Sequence, residues 1–163
     1  MENERKTDRS ADMGMDEHRL SDILLASQIK ATDIYETPPQ IIWIDNSTIA
    51  TLGNFSASTG KAKSKKTFNV SALVAASLAG KQVLNYRAHL PEGKQRILYV
   101  DTEQSRFHCR SVLERILRLA GLPTTTDPEN LDFFCLREYS PSVRIEVIDY
   151  ALRQQKGYGL VII

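Results

Sequence analysis

The chain has 163 residues, of which 42% are hydrophobic and 25% charged, which is the composition of one soluble globular domain. Lys and Arg total 21 against 20 for Asp and Glu, so the net charge of +1 excludes a global attraction to nucleic acid or membranes. Cys109 and Cys135 have no CxxC or CxxH spacing, which argues against a disulfide scaffold or a zinc module. No apolar run reaches the ~18 residues of a membrane span, so we expect a cytoplasmic protein without membrane contact.

The amino-terminal residues 1–38 are predicted to be a polar, largely flexible segment. Residues 1 to about 19 carry acids and bases throughout and almost no aliphatic side chains, so they cannot bury enough surface to offset the entropy of ordering. The stretch from Leu20 to Ile29 favours one short helix, and Thr37-Pro38-Pro39 then interrupts the chain. The folded domain is therefore predicted to span residues 39–163.

The first part of this domain reads as a β-rich region followed by a buried helix. The pieces Ile41 to Ile44 and Thr48 to Phe55 flank Asp45-Asn46-Ser47, which favours a hairpin or a tight reversal. Residues Thr67 to Ala79 are apolar on nearly every side and stop at Gly80, which predicts a helix buried on most sides. We therefore expect a strand, a loop and a buried helix in that order.

The middle of the chain gives a strand and a helix. Residues 81–95 have no clear pattern and are interpreted as a loop insertion. The continuous apolar run Ile97 to Asp101 predicts a strand covered on both faces. From Cys109 to Ala120 the apolar residues recur with helical spacing, and Gly121 ends the pattern. Cys109 and Cys135 fall on apolar faces, where core packing is expected.

The order of strand and helix then repeats to the end of the sequence. A short strand is predicted near Leu131 to Leu136, a helix from about Pro141 to Gln155 with Ser140 as its cap, and an apolar strand at Leu160 to Ile163. This alternation predicts an α/β fold in which a parallel sheet carries helices on both faces. Because the chain stops inside a strand, we expect it to be a fragment of a longer protein.

The motif that points most specifically to a ligand-binding site lies between the β-rich region and the buried helix. It is the run Gly60-Lys61-Ala62-Lys63-Ser64-Lys65-Lys66-Thr67. Against the phosphate-binding pattern G-x-x-x-x-G-K-S/T, Gly60 is the first glycine, Lys66 the lysine and Thr67 the hydroxyl. A triphosphate needs inward backbone N–H groups, a helix amino terminus, an ammonium, and a hydroxyl ligand for Mg²⁺.

One residue of this loop departs from the pattern. Lys65 stands where the pattern has its second glycine, which permits close approach and unusual dihedral angles. We expect either a reshaped loop or a loop that binds phosphate without supporting fast hydrolysis. The alternative interpretation is a solvated basic turn or a nucleic-acid patch.

Two acids lie at the carboxyl end of the apolar strand that starts at Ile97, at the edge of a parallel sheet where ligands gather. Asp101 and Glu103 could hold Mg²⁺ through water or polarise an attacking water. The alternative is a polar strand end in which Asp101 or Ser105 caps the next helix. We expect that capping role for Ser105, and assign Glu103 to the orientation of water beside a γ-phosphate.

Together these segments resemble a known family. The run from Thr51 to Ser56 through Gly60 to Phe68, followed by Ile97 to Ser105, resembles AAA-family ATPases with a RecA-like core. It is most similar to the RepA-type group, related to a hexameric plasmid replicative helicase and common on plasmids and mobilisable elements. The resemblance covers residues 39–163 and implies a RecA-like P-loop NTPase fold, a three-layer α/β/α arrangement.

The resemblance also implies the site and the partners. Lys66 and Thr67 would bind the phosphates of ATP and Mg²⁺, and Glu103 matches the catalytic glutamate. Asp101 keeps the metal role expected from its position at the strand end. The Walker B aspartate would follow the strand at Gly159 to Ile163, directly after the last residue. Arginine fingers and DNA-contacting loops would lie further on, so DNA binding and a homo-oligomer, such as a hexamer, are expected by analogy.

The expected function is therefore ATP binding and hydrolysis in replication or mobilisation of mobile DNA, with poor hydrolysis by these residues alone. A second interpretation is a P-loop kinase of a small acceptor, in which Ile97 to Asp101 is itself the acidic strand. A third is a non-catalytic DNA-binding or assembly protein whose lysine loop contacts backbone phosphates. Free phosphate, a phosphorylated acceptor, or salt-steep DNA binding unaffected by ATP distinguishes the three.

Overall fold

The computed structural model describes residues 16–61 and 65–163. The chain divides into two units, Met1–Thr37 and Pro38–Ile163. In the first unit, helix α1 (Glu17–Ser27) confirms the predicted short helix, and none of its residues is buried. The Asp16 carboxylate caps this helix by accepting a hydrogen bond from the backbone N–H of His18. Within the described ranges, no helix is both long and apolar enough to cross a membrane.

The second unit begins with an antiparallel sheet. Strand β1 (Gln40–Ile44) lies between β2 (Ser47–Thr51) and β3 (Tyr86–Ala88), and pairs antiparallel with both. The predicted hairpin is thus confirmed, although its second strand ends at Thr51 instead of Phe55. The interpretation of residues 81–95 as a loop insertion is wrong, because three of these residues form β3 at the free edge of β1.

A second, parallel sheet follows. It consists of β4 (Arg96–Asp101) between β5 (Leu131–Cys135) and β6 (Tyr158–Ile162). This confirms the predicted parallel arrangement of the last three strands. The sequence places the strand before the lysine-rich loop in the same alternation. In the structure β2 pairs only with β1, because the reversal after Ile44 turns the chain back along β1.

Three helices cover the central strand β4 from both sides. They are α2 (Lys66–Ala79), α3 (Arg106–Ala120) and α4 (Pro141–Gln154). Ile97 and Tyr99 face one core cluster, which includes buried residues of α2 and α3. Leu98 and Val100 face the other, against partly buried residues of α4. Because successive side chains of a strand point to opposite faces, this alternation produces the three-layer α/β/α arrangement.

Candidate functional site

The residue before α2 has the backbone shape that the phosphate-loop pattern assigns to glycine. Lys65 is left-handed, with φ 59° and ψ 25°. For a residue with a β-carbon this conformation costs about 1–2 kcal/mol. The Lys65 carbonyl accepts hydrogen bonds from the N–H groups of Phe68, at 3.0 Å, and Asn69, at 3.1 Å, so α2 starts on this residue. The lysine therefore replaces the second glycine in sequence while the glycine-like backbone conformation is kept.

The amino terminus of α2 presents cationic and polar groups. Lys66 donates a hydrogen bond from its Nζ to the carbonyl oxygen of Gly60, 3.0 Å away. The backbone N–H groups of Lys66 and Thr67 make no hydrogen bond within the described part of the chain, as expected for the first turn of a helix. Thr67 is half-buried and Lys61 is exposed. The predicted phosphate-binding residues Ala62, Lys63 and Ser64 lie outside the described residues.

At the end of β4, a buried carboxylate organises the loop that carries Glu103. Asp101 is 7% exposed. Its Oδ1 accepts from the N–H groups of Glu103, at 3.0 Å, and Gln104, at 2.7 Å. Its Oδ2 accepts from the side-chain amide of Gln104, at 3.0 Å. Glu103 itself is exposed, so its carboxylate is open to solvent on a backbone that Asp101 holds in place.

The predicted cap of α3 is only partly confirmed. Ser105 occupies the N-cap position, but its side chain makes no capping hydrogen bond. Its hydroxyl instead pairs with Nδ1 of His108 at 2.9 Å. The prediction that the Ser105 side chain caps this helix is therefore wrong, because the histidine one turn along competes for the hydroxyl.

Two cysteines far apart in sequence meet at the same loop. Sγ of Cys109 lies 3.7 Å, and Sγ of Cys135 3.4 Å, from the carbonyl oxygen of Gln104. Burial, and next the hydrogen bond with the Cys135 thiol, raise the pKa of Cys109 from 9.0 to about 12. Core packing is confirmed for Cys109, which is buried, whereas Cys135 is only partly buried. Sequence reasoning missed Gln104 and this convergence, because Cys135 is aligned with Asp101 only through the β4–β5 register.

The two halves of the predicted site come from different elements of the same unit. Asp101 ends β4 and Glu103 lies in the loop that follows, while Lys66 and Thr67 open α2, which packs on β4 and α3. No hydrogen bond or ion pair joins the two halves in the ranges 16–61 and 65–163. Over these ranges, no group of three or more His, Cys, Asp or Glu is placed to hold a metal ion.

A cavity of about 330 Å³ lies on the antiparallel sheet. Its lining includes Trp43, Lys81, Arg87 and His89. The Arg87 guanidinium carbon is 4.6 Å from the centroid of the Trp43 ring, a cation–π contact that covers one face of the indole. None of the predicted site residues that the structure describes lines this cavity.

Comparison with known proteins identifies the family. The model of the AAA domain family matches residues 20–163, a range that includes the lysine-rich loop, the end of β4 and all three strands of the parallel sheet. No curated protein and no solved structure matches the chain significantly. The parallel sheet with flanking helices is the α/β fold of the RecA-like P-loop NTPases, and the family indicates an ATPase-type, nucleotide-binding function. The chain therefore belongs to the AAA domain family of P-loop ATPases.

Proposed function

We propose that the protein binds Mg-ATP at the amino terminus of α2 and hydrolyses it. The observation that carries the proposal is the geometry of Lys65 and Lys66. The left-handed Lys65 turns the chain into α2, and the next residue places its ammonium 3.0 Å from the Gly60 carbonyl oxygen. A carbonyl oxygen there occupies a position that a phosphate oxygen can take over, with a stronger, charge-assisted hydrogen bond.

The groups around this ammonium fit a triphosphate. The N–H groups of Lys66 and Thr67 open the helix and add the positive end of its dipole. The Thr67 hydroxyl would hold Mg²⁺, which supplies neutralisation of charge on the phosphate oxygens when bound. Asp101 would reach the metal through a water, since its carboxylate already accepts three hydrogen bonds from the loop.

In the proposed reaction, Glu103 orients the attacking water. Its exposed carboxylate accepts a proton from the water as the water oxygen bonds to the γ-phosphorus, and the bond to the bridging oxygen of ADP breaks. Lys66 stabilises the negative charge that develops on the phosphate oxygens. Asp101 fixes the Glu103 backbone, which limits the orientations that the carboxylate samples.

We further propose that this ATPase is of the RepA type and acts on DNA in replication or mobilisation of a mobile element, as a homo-oligomer such as a hexamer. The support is the resemblance of residues 51–68 and 97–105 to that group. The proposal predicts that DNA accelerates ATP turnover and that sedimentation shows assembly. Binding to DNA that is steep in salt and indifferent to ATP would favour a non-catalytic DNA-binding role instead.

Phosphate release tests the hydrolysis directly. We expect the wild-type chain to release free phosphate from Mg-ATP slowly, and Glu103→Gln to reduce the single-turnover rate by about 100-fold while ATP still binds. A phosphorylated small acceptor in place of free phosphate would indicate a kinase. An unchanged rate in Glu103→Gln would remove Glu103 from the reaction.

A further inference from the structure

The carbonyl oxygen of Gln104 has two thiols as its neighbours. Sγ of Cys109, from the first turn of α3, and Sγ of Cys135, from the end of β5, approach it at 3.7 and 3.4 Å. Cys109 and Cys135 are the two cysteines of the whole sequence, and both are free. The two sulfur atoms therefore share one acceptor atom, although they lie on different elements.

From this juxtaposition we infer that Cys109 and Cys135 form a reversible disulfide, a modification site that controls the loop carrying Glu103. Hydrogen peroxide is the oxidant. It converts the thiol of Cys135, the more accessible of the two, to a sulfenic acid and releases one water. The Cys109 sulfur then attacks the sulfenic sulfur, the S–O bond breaks, and a second water leaves as the S–S bond forms. Two thiols are oxidised by two electrons, and one peroxide is reduced to two waters.

The exposure of the two sulfur atoms agrees with this order. The pKa of Cys109 is raised to about 12, first by burial and then by its hydrogen bond with the Cys135 thiol. A thiol with that pKa stays protonated near neutrality, so Cys109 reacts slowly with an oxidant by itself, and its attack on the sulfenic sulfur should become faster as the pH rises. Cys135 is partly exposed and offers the entry point. Reduction by an added thiol returns both sulfurs to the starting state.

Formation of the disulfide should affect Glu103 through the peptide group of Gln104. A disulfide has no S–H, so the Gln104 carbonyl loses both sulfur donors at once. The same residue donates its N–H to Asp101 at 2.7 Å and its side-chain amide to Asp101 at 3.0 Å. Because the new bond also ties the start of α3 to the end of β5, we expect the Gln104 peptide to shift and the hydrogen bonds to Asp101 to weaken. The effect on ATP turnover rests on the proposed function, whereas the disulfide and the loosened loop do not.

The test treats the wild-type chain with hydrogen peroxide under native conditions and maps peptides without reduction. We expect one intramolecular Cys109–Cys135 linkage with the loss of two hydrogens, reversed by dithiothreitol. Hydrogen exchange at the N–H groups of Glu103 and Gln104 should be about tenfold faster in the oxidised protein. Cys109→Ser and Cys135→Ser each keep a hydroxyl donor and serve as controls that cannot form the linkage.

The outcomes are distinct from those of the proposed function. A native protein that forms no intramolecular linkage, while the unfolded chain does, overturns the inference, and so does a linkage that leaves exchange of the two N–H groups unchanged. These readouts need neither serine variant to fold, because they are taken on the wild-type chain. If the reduced protein releases no phosphate, the proposed function fails while the linkage is still judged by mass and exchange. If it does release phosphate, oxidation should lower the rate and leave ATP affinity unchanged.

Discussion

Oδ1 of Asp101 lies 2.7 Å from the backbone nitrogen of Gln104, and Oδ2 accepts the side-chain amide of the same residue at 3.0 Å. The buried carboxylate of Asp101 thus accepts hydrogen bonds from both the main chain and the side chain of Gln104. The exposed Glu103 lies between them in sequence, with its own N–H bonded to Asp101. Its carboxylate is therefore carried by a backbone with little freedom to move.

Replacing the Asp101 carboxylate should lower the rate of ATP turnover far more than the affinity for ATP. We expect Asp101→Asn to lower ATP turnover by about tenfold or more, since hydrogen bonds to a charged acceptor are lost or weakened. ATP affinity should change much less than turnover, because Asp101 makes no hydrogen bond to Lys66 or Thr67 and would reach the metal through a water. The measurement is kcat together with an independent Kd for ATP.

The matched control for this change is Asp132→Asn, at the other end of the parallel sheet. Asp132 accepts from Arg96 at 2.8 Å and from the Tyr158 hydroxyl at 2.6 Å. Its loss should reduce the free energy of unfolding without slowing turnover. Equal turnover in Asp101→Asn and the wild type would contradict the positioning role of Asp101.

The strained residue before α2 predicts a stabilising substitution. Lys65→Gly should raise the free energy of unfolding by about 0.5–1 kcal/mol, because glycine adopts positive φ without the steric cost, and part of the gain is lost to greater entropy in the unfolded chain. Lys65→Ala keeps the β-carbon and should gain nothing. Urea unfolding of the three proteins measures the difference. A Lys65→Gly protein no more stable than Lys65→Ala would argue against the left-handed conformation.

The buried tyrosine of β4 predicts a loss of stability at high pH. Burial, and next the negative charge of Asp101, raise the pKa of Tyr99 from 10.0 to about 12. Because the pKa of Tyr99 is higher in the native state than in the unfolded chain, the neutral hydroxyl contributes fully to the free energy of unfolding below pH 10. That contribution is lost as the pH rises through 12. Tyr99→Phe keeps the ring stacked on Phe133, whose centroid is 4.4 Å away, and removes the titrating hydroxyl.

Urea unfolding at pH 7, 10 and 11 checks this prediction. At pH 7 the two proteins should be about equally stable, and above pH 10 the wild type should lose stability more steeply than Tyr99→Phe. Some slope should persist in the variant, because the pKa of Cys109 is raised to about 12 as well. Identical slopes in both proteins would show that Tyr99 does not titrate as its burial implies.

Local patterns predicted most of the regular structure. The helical spacing of Cys109, Ile116 and Ala120 gave the helix that the structure shows at Arg106–Ala120, because one face of α3 packs in the core while the rest meets solvent. The apolar run at 97–101 became β4 because helices cover both of its faces. The three-residue strand β3 had no such signal, since it is stabilised by pairing with β1, some forty positions earlier in the chain.

Local patterns likewise predicted only part of the candidate site. The run from Gly60 to Thr67 predicts phosphate binding because the glycine, the lysine and the hydroxyl residue of the pattern all lie in one short segment. Nothing in the sequence marks Gln104 as a functional residue. Its role depends on its hydrogen bond to Asp101 and on its contact with Cys135, which the β4–β5 register aligns with Asp101. Convergence of distant residues on one peptide group is a tertiary property, and a single sequence carries no periodicity that reports it.

Equilibrium binding of ATP in the presence of Mg²⁺ tests the central claim most directly. The wild type and Lys94→Ala, which removes an exposed lysine outside the loop, should bind ATP with equal affinity. Lys66→Ala should bind at least about 100-fold more weakly, because the charge-assisted hydrogen bonds to the phosphates are gone. Normal ATP binding by Lys66→Ala would contradict the assignment of the phosphate site to the amino terminus of α2.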